Sequence, residues 1–559
     1  MTQLNEIVIE RKVACGMRDG TTLRGDIYRP KAAGRYPVIV EMVAYELDAR
    51  LKNYADWYAS RGYVFIGMNS RGTYWSEGEW RPFLDDAWGA NQDGYDTIEW
   101  AGSQPWSNGN VGTMDGSWSG LTQNLLAPTR PPHLKSMFLR MAPASTTALD
   151  GIPRTTAMWL FILSQLLTQA QHPSASEKLR GHVAEIEKLL GDPIGTMSIL
   201  PANKLPFLEE HFPNVNGPMM LSPLDPLTAG TDAISMASEI DVPIFHLGGW
   251  YDMFLQHTLA MFTGVSERGF SGSTRESQRL MIGPWVHGPF EPENSRQGDL
   301  DFGAQAAIEI NEFRKRWFDH FLDGEDNGAA DLPRVRLFVM GVNSWRNFES
   351  WPPEGATETR LYLGENSLSF DAPTTDSSST SYDYDPFDPV PSFNGGKGGF
   401  QGNGPIDMTG IEDKKTIFSS EPLDESLTVI GPVSLQLYAK SSTKDTDWYV
   451  TLTDVHPDGR SIRVCEGSLR ARFREGLDRE VLMEPGTPYL FNIDLLATAQ
   501  EFAAGHRIRI AITSSQLPPK ERNMNTGGDN AQETEGIVAH NTVLHERDHP
   551  SHVVLPVLR

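Results

Sequence analysis

Cysteine is almost missing: the 559 residues contain two, Cys15 and Cys465. Two thiols cannot build a disulfide framework or a cysteine-rich zinc site, and a reducing, cytoplasmic setting is the expectation. Long apolar runs are missing too. The best of them, Ala157 to Leu167, is interrupted by Ser164 and Gln165. It falls short of the roughly 18 apolar residues that a membrane-spanning helix needs and reads as a buried helix. The N-terminal stretch MTQLNEIVIERK alternates apolar and charged residues, without the basic and apolar regions of a signal peptide. Basic residues are outnumbered, 48 Lys and Arg against 73 Asp and Glu, for a net charge of −25. So acidic a surface repels phosphate backbones and anionic lipid, which argues against nucleic-acid or membrane partners.

What is present is ordinary globular composition, 39% hydrophobic and 22% charged, in a chain long enough for about three to four domains. From residue 1 to about 145, short apolar runs such as Val38–Val40 and Tyr63–Ile66 alternate with helical patterns. Asp93, Asp96 and Glu99 recur at three-residue spacing beside Ile98 and Trp100. This alternation predicts a mostly parallel sheet covered by helices. Residues 146 to 240 turn helical: the Ala157 run, then Ser176 to Leu190 with Leu179, Val183, Ile186, Leu189 and Leu190 at spacings of three and four, a Ser176 N-cap and a Gly191 C-cap. Strand–helix alternation resumes over 241–350. The helical zone therefore reads as a cap inserted into an α/β body. Residues 351–559 open with a Ser-, Thr-, Asp-, Pro- and Gly-rich stretch. Period-two runs follow at Leu427–Ile430, Val433–Tyr438, Trp448–Leu452 and Arg507–Ile512, which predict an antiparallel sandwich or jelly roll.

The most informative segment is GNVGTMDGSWSGLTQ, Gly109 to Gln123. Val111–Met114 predicts a strand, Asp115–Ser119 a sharp turn, and Gly120 onward a helix. Ser117 on that turn would project its hydroxyl at a helix N-terminus, where the Trp118 N–H faces a developing oxyanion. The usual elbow, G-x-S-x-G, has Gly where this chain has Asp115 and Ser119, so the motif alone leaves a plain turn equally open. Two further pieces follow predicted strands: Asp252 in GGWYDMF after Pro243–Leu247, and His287 in IGPWVHG after Arg279–Ile282. Each alone reads as an ordinary loop residue. Together, Ser117, Asp252 and His287 stand in the nucleophile–acid–histidine order of α/β-hydrolases.

Nearly end to end, the chain resembles bacterial cocaine-esterase-type hydrolases, relatives of X-prolyl dipeptidyl aminopeptidases, α-amino acid ester hydrolases and glutaryl acylases. The likeness runs through MRDGTTLRGDIYRP (17–30), SRGTYWSEGEW (70–80), WSNGNVG (106–112), GWYDMF (249–254), GPWVHG (283–288), VRLFVMGVNSWR (335–346), RNMNTGG (522–528) and HPSHVVLPV (549–557). It implies an α/β-hydrolase body, a helical cap and a C-terminal jelly roll. It further implies a serine carboxylesterase cleaving small esters, some with an aromatic acyl part, without metal or cofactor. Ser117 is then the nucleophile, His287 the base and Asp252 its orienting acid, with Tyr45 and the Trp118 N–H as oxyanion donors. Trp159, Phe254 and Phe400 match the aromatics around the substrate, and the likeness also suggests a homodimer.

Other readings stay open beside it. One is a peptidase or amidase of the same family that recognises a free α-amine through a carboxylate cluster, for which Glu41 is the single candidate. A non-catalytic binding protein is the other, favoured only by Asp115 in the elbow. The H-E-x-x-H spelling at His545–His549 lacks a third zinc ligand at usable spacing. GGKGGFQGNG at 395–404 lacks the Lys-Ser/Thr ending of a phosphate loop and reads as a loop.

Overall fold

The apolar runs around Val38 and Phe65 lie side by side as parallel strands, Tyr36–Val43 and Val64–Asn69, with Val40 opposite Ile66. They belong to the first of two large sheets in a computed structural model that describes residues 4–52, 54–215, 221–288, 291–391, 404–517 and 519–559. Among the described residues this sheet has ten strands. Seven neighbours are parallel, in the order Val64–Asn69, Tyr36–Val43, Ser107–Gly116, Leu134–Arg140, Ile244–Tyr251, Arg279–Val286 and Val335–Val339. Antiparallel strands close both edges. Helices cover both faces, so the central strands carry buried side chains throughout, as in Ile244–Tyr251. The chain runs outward from Tyr36–Val43 to Val64–Asn69 and then crosses back to Ser107–Gly116. Such a reversal leaves a crevice beyond the carboxyl ends of the strands, where α/β sheets bind their ligands.

Helices between Thr155 and His211 are inserted between the strands Leu134–Arg140 and Ile244–Tyr251 and form the cap. The Ser176 hydroxyl caps as expected, accepting from the Leu179 N–H at 3.2 Å. The predicted single helix from Ser176 is instead two, Glu177–Gly181 and Val183–Gly191, broken at His182. There the imidazole packs against His211, Phe207 and Phe212, and tertiary packing overrides the periodicity. Gly191 ends its helix from inside, and Asp192 caps the next one.

From Ala356 onward a second sheet of twelve described strands, antiparallel but for one pair, folds back on itself as a jelly-roll sandwich. Its core holds Phe418, Leu435, Leu437, Trp448, Phe491 and Ile510. The runs predicted at Leu427–Ile430 and Val433–Tyr438 form one strand, Leu427–Ser441, bulged near Pro432, which pairs with three others. A shared apolar cluster that includes Trp250, Phe338, Met340, Ile430 and Ala499 joins the sandwich to the body. Arg522 donates to the Ser198 carbonyl at 2.9 Å and joins the sandwich to the cap. Among the described residues no helix is long and apolar enough to cross a membrane.

Candidate active site

The strand Ser107–Gly116 ends in the predicted turn, and the helix Trp118–Leu126 begins at once. Ser117 sits between them with φ 54° and ψ −121°, a left-handed conformation that costs a residue other than glycine about 1–3 kcal/mol. Only glycine fits before it: a Cβ on Gly116 would come 1.7 Å from the Arg140 carbonyl oxygen. The Ser117 N–H donates to Met141 O at 3.3 Å. The result is a hydroxyl held above the sheet edge. Trp118 opens the helix, so its backbone N–H has no acceptor within the helix and is free for a ligand.

Two strands further along, the chain turns after Tyr251 with the Asp252 N–H donating to Gly249 O at 3.1 Å. A Cβ on Gly249 would lie 2.1 Å from Trp285 O, so that turn also requires glycine. His287 follows directly on the next strand, Arg279–Val286. Its Nδ1 lies 2.7 Å from Asp252 Oδ1 and its Nε2 3.0 Å from Ser117 Oγ. Asp252 is 2% exposed, a depth at which the imidazole is its natural partner.

Tyr45 lies just past the end of Tyr36–Val43, its carbonyl held by Asn69 Nδ2 at 2.8 Å. Its phenol and Ser117 line the same cavity; burial pushes its pKa up to about 12 against the pull of Arg50 and of the Ser117 hydroxyl. It therefore stays an O–H donor across the neutral range. A cavity of about 50 Å³ opens on Ser117, lined by Tyr45, Phe83, Trp118, Met158, Phe161 and Phe254 among others. The Trp118 and Phe161 rings stack at 6.1 Å, Phe83 lies 4.1 Å from Trp118, and Phe254 meets His287 edge-on at 5.2 Å. The lining segment around Ser145 is held by His257, whose pKa burial pushes down to about 3. As a neutral ring it accepts from the backbone N–H groups of Ala144 and Ser145 at 3.1 and 3.2 Å.

The sequence expectations fare unequally here. Ser117, Asp252, His287, Tyr45, Trp118 and Phe254 come together. Trp159 does not join them: it is fully buried in the core, and its neighbours Met158 and Phe161 face the cavity instead. With about 100° of rotation per residue, Met158 and Phe161 share a helix face that turns Trp159 away. Phe400 lies outside the described residues. Glu41 is no part of an ammonium site; it is fully buried, bound to Arg50 at 2.8 Å and accepting from Ser119 Oγ at 2.9 Å. Phe161 shares the helix face of Met158, a face that only the structure turns to the cavity, and Phe83 and His257 carry no local signal. The H-E-x-x-H spelling lies in a hairpin, where the Ser378 and Thr380 hydroxyls meet the two ring nitrogens of His545 at 2.8 and 2.9 Å.

With nucleophile, acid and histidine on strand ends in that chain order, the molecule falls in the class of α/β-hydrolase-fold serine hydrolases. Residues 19–289 match the X-Pro dipeptidyl-peptidase (S15 family), and residues 327–554 match the X-Pro dipeptidyl-peptidase C-terminal non-catalytic domain. The chain is 34% identical over 582 residues to the cocaine esterase of Rhodococcus sp. (strain MB1 Bresler), covering 99% of both. The chain belongs to the family of cocaine-esterase-type serine hydrolases. In fold it is similar to an α-amino acid ester hydrolase, with TM-score 0.82, 23% identity, and 99% of this chain and 97% of that one covered. It is equally similar to an aminopeptidase from a marine sediment archaeon, Thaumarchaeota archaeon, with TM-score 0.81, 22% identity, and 100% and 98% covered.

Proposed function

We propose that the protein is a serine carboxylesterase that cleaves small esters through an acyl-enzyme on Ser117. The observation that carries this reading is the unbroken line from the Asp252 carboxylate through the His287 imidazole to the Ser117 hydroxyl. Asp252 keeps the proton on Nδ1, so Nε2 is free to take the Ser117 proton as Oγ attacks the ester carbonyl carbon. The charge that develops on the carbonyl oxygen meets the Tyr45 O–H and the Trp118 N–H. The ester C–O bond then breaks, the departing alkoxide takes the proton from His287, and the alcohol leaves. Water, deprotonated by the same nitrogen, attacks the acyl carbon; the bond to Ser117 Oγ breaks, His287 returns the proton to Oγ, and the carboxylic acid leaves.

The aromatic wall supports an apolar acyl group, aromatic rings included, since rings stack edge-on or offset against one another. The peptidase reading asks for a carboxylate beside Ser117 to hold an ammonium. None is among the described residues lining the cavity. We also propose a cytoplasmic setting, supported by Cys15 and Cys465, both buried and unpaired.

A panel of activated acetyl and benzoyl esters, with paired N-blocked and free-amine amino-acid esters and amides, tests the proposal. Turnover of simple esters without need of an amine, lost in Ser117→Ala together with fluorophosphonate labelling, is the expected result. Absolute dependence on the free amine would move the assignment to the peptidase branch. Labelling that survives Ser117→Ala would remove the nucleophile.

A further inference from the structure

The residue that departs from the usual elbow, Asp115, stands two positions before Ser117. Its φ is 88°, a left-handed value that favours glycine, yet the position carries a carboxylate 2% exposed to solvent. Three guanidinium groups from three separate segments meet it: Arg50 after the Tyr45 loop, Arg140 at the end of Leu134–Arg140, and Arg314 on the helix Ile310–Asp323. Arg140 Nε and Arg314 Nη2 reach its Oδ1 at 3.0 and 3.1 Å, while Arg50 holds Oδ2. Burial alone would raise this carboxyl; Arg140, Arg50 and Arg314 outweigh it and hold it well below the usual carboxylate range.

The same arginines reach onward to the other two catalytic loops. Arg140 turns its Nη1 to the carbonyl oxygen of Gly288, the residue after His287. Arg50 also binds Glu41 on the strand leading to Tyr45, its guanidinium carbon lies 5.3 Å from the Tyr45 ring, and Glu41 accepts from Ser119 on the nucleophile's own helix. The oxyanion loop, the nucleophile elbow and the histidine loop are thus tied through one buried carboxylate.

We propose that Asp115 and Arg140 are positioning residues that set the nucleophile elbow in register with the histidine loop, so that Ser117 Oγ and His287 Nε2 meet. The inference rests on the esterase reading and deepens it. A buried ion pair adds little net stability over well-packed apolar groups, so its worth lies in geometry. A guanidinium is a rigid planar fork and fixes Asp115 and Gly288 in one plane; an ammonium at the end of a flexible stem can serve one of them at a time.

Arg140→Lys and Asp115→Asn are the informative variants, because they keep the polarity or shape of the site while breaking the fork. The experiment measures steady-state kinetics on an activated ester and the rate of fluorophosphonate labelling of Ser117, with circular dichroism and thermal melting reporting the fold. Folded Arg140→Lys is expected to lose about 10- to 100-fold in kcat and in labelling rate, with KM within about twofold, the size of effect an ångström of misplacement produces. A purely structural pair would lower the melting temperature and leave kcat per folded molecule alone. Labelling and kcat within about threefold of wild type in a folded Arg140→Lys would overturn the proposal, and so would loss of the fold in both variants. Failure of the wild-type enzyme to label at Ser117 would instead remove the esterase reading itself.

Discussion

His287 Nε2 and Ser117 Oγ lie 3.0 Å apart although 170 residues separate them in the chain. The sheet achieves this because each residue stands just past the carboxyl end of a parallel strand, Ser107–Gly116 for one and Arg279–Val286 for the other. Only two strands intervene between them in the sheet order. The turns that carry Ser117 and Asp252 are closed by Gly116 and Gly249, whose Cβ positions are filled by neighbouring backbone, so the nucleophile and the acid that orients the histidine are placed by main chain more than by side-chain rotamers.

Asp252→Asn keeps the shape of the acid and removes its charge. The amide can donate as well as accept, and nothing then obliges His287 to hold its proton on Nδ1. The expected result is a fall in kcat on the order of 10³- to 10⁴-fold on an activated ester with KM little changed. Steady-state kinetics at a fixed neutral pH check it, and a fall of less than about tenfold would take Asp252 out of the triad.

Tyr45→Phe deletes one oxyanion donor and leaves the ring contacts to Trp118 and Phe161. On the order of 10²- to 10³-fold should go from kcat. The phenol's pKa is pushed up to about 12, so the donor is lost only as pH rises through that value. Any alkaline decline in wild-type activity below about pH 10 therefore has another origin, and Tyr45→Phe should show the same decline at its lower rate. A pH–rate profile of both proteins from pH 7 to 10 tests this directly.

How much of this was legible beforehand follows from what each feature depends on. The triad could be read because its members sit at strand ends, where local apolar runs mark the strands and the chain order is that of the fold. The layered body, the cap and the sandwich were equally visible in the change of period. The break at His182 was not, because the rings packed there, Phe207 and His211 from another helix and Phe212 just past its end, lie well beyond it in the chain. Trp159 came from the family resemblance, whereas the phase of this helix turns Phe161 to the cavity. Asp115 looked like a defect in the motif, since its three arginines come from residues 50, 140 and 314 and no local pattern announces them.

Phe161 and Trp159 separate a cavity residue from a core residue on one helix. Phe161→Ala removes the ring stacked on Trp118 and should lower kcat/KM for benzoyl esters by about tenfold or more relative to acetyl esters, the value of an aromatic contact with its buried area. Trp159→Phe changes a fully buried side chain and should lower the melting temperature while leaving the benzoyl-to-acetyl ratio within about twofold. If Trp159→Phe shifts the ratio and Phe161→Ala does not, the cavity has been drawn on the wrong face of the helix.

Asp86 offers a test of stability that does not involve catalysis. It is 6% exposed and lies near Asp93 and Asp85, while the nearby Arg71 is taken by Asp93 in a two-pronged pair at 2.7 and 2.9 Å. Burial first, and then the two neighbouring acids, push its pKa up to about 8; an aspartate in the unfolded chain titrates near about 3.9. Between those values the folded protein keeps a proton that the unfolded chain has given up. Stability from this group is therefore complete below about pH 4 and is lost as pH rises towards 8, at no more than about 1.4 kcal/mol per pH unit. Asp86→Asn replaces the protonated acid by a neutral group of the same shape and removes the titration. It should melt higher than wild type at pH 8, with the gap closing as the pH is lowered to 5. Chemical unfolding at pH 5, 6, 7 and 8 measures the slope for both proteins. Parallel curves across that range would mean that Asp86 carries its charge in the folded state and is solvated or paired in a way the surrounding side chains do not provide.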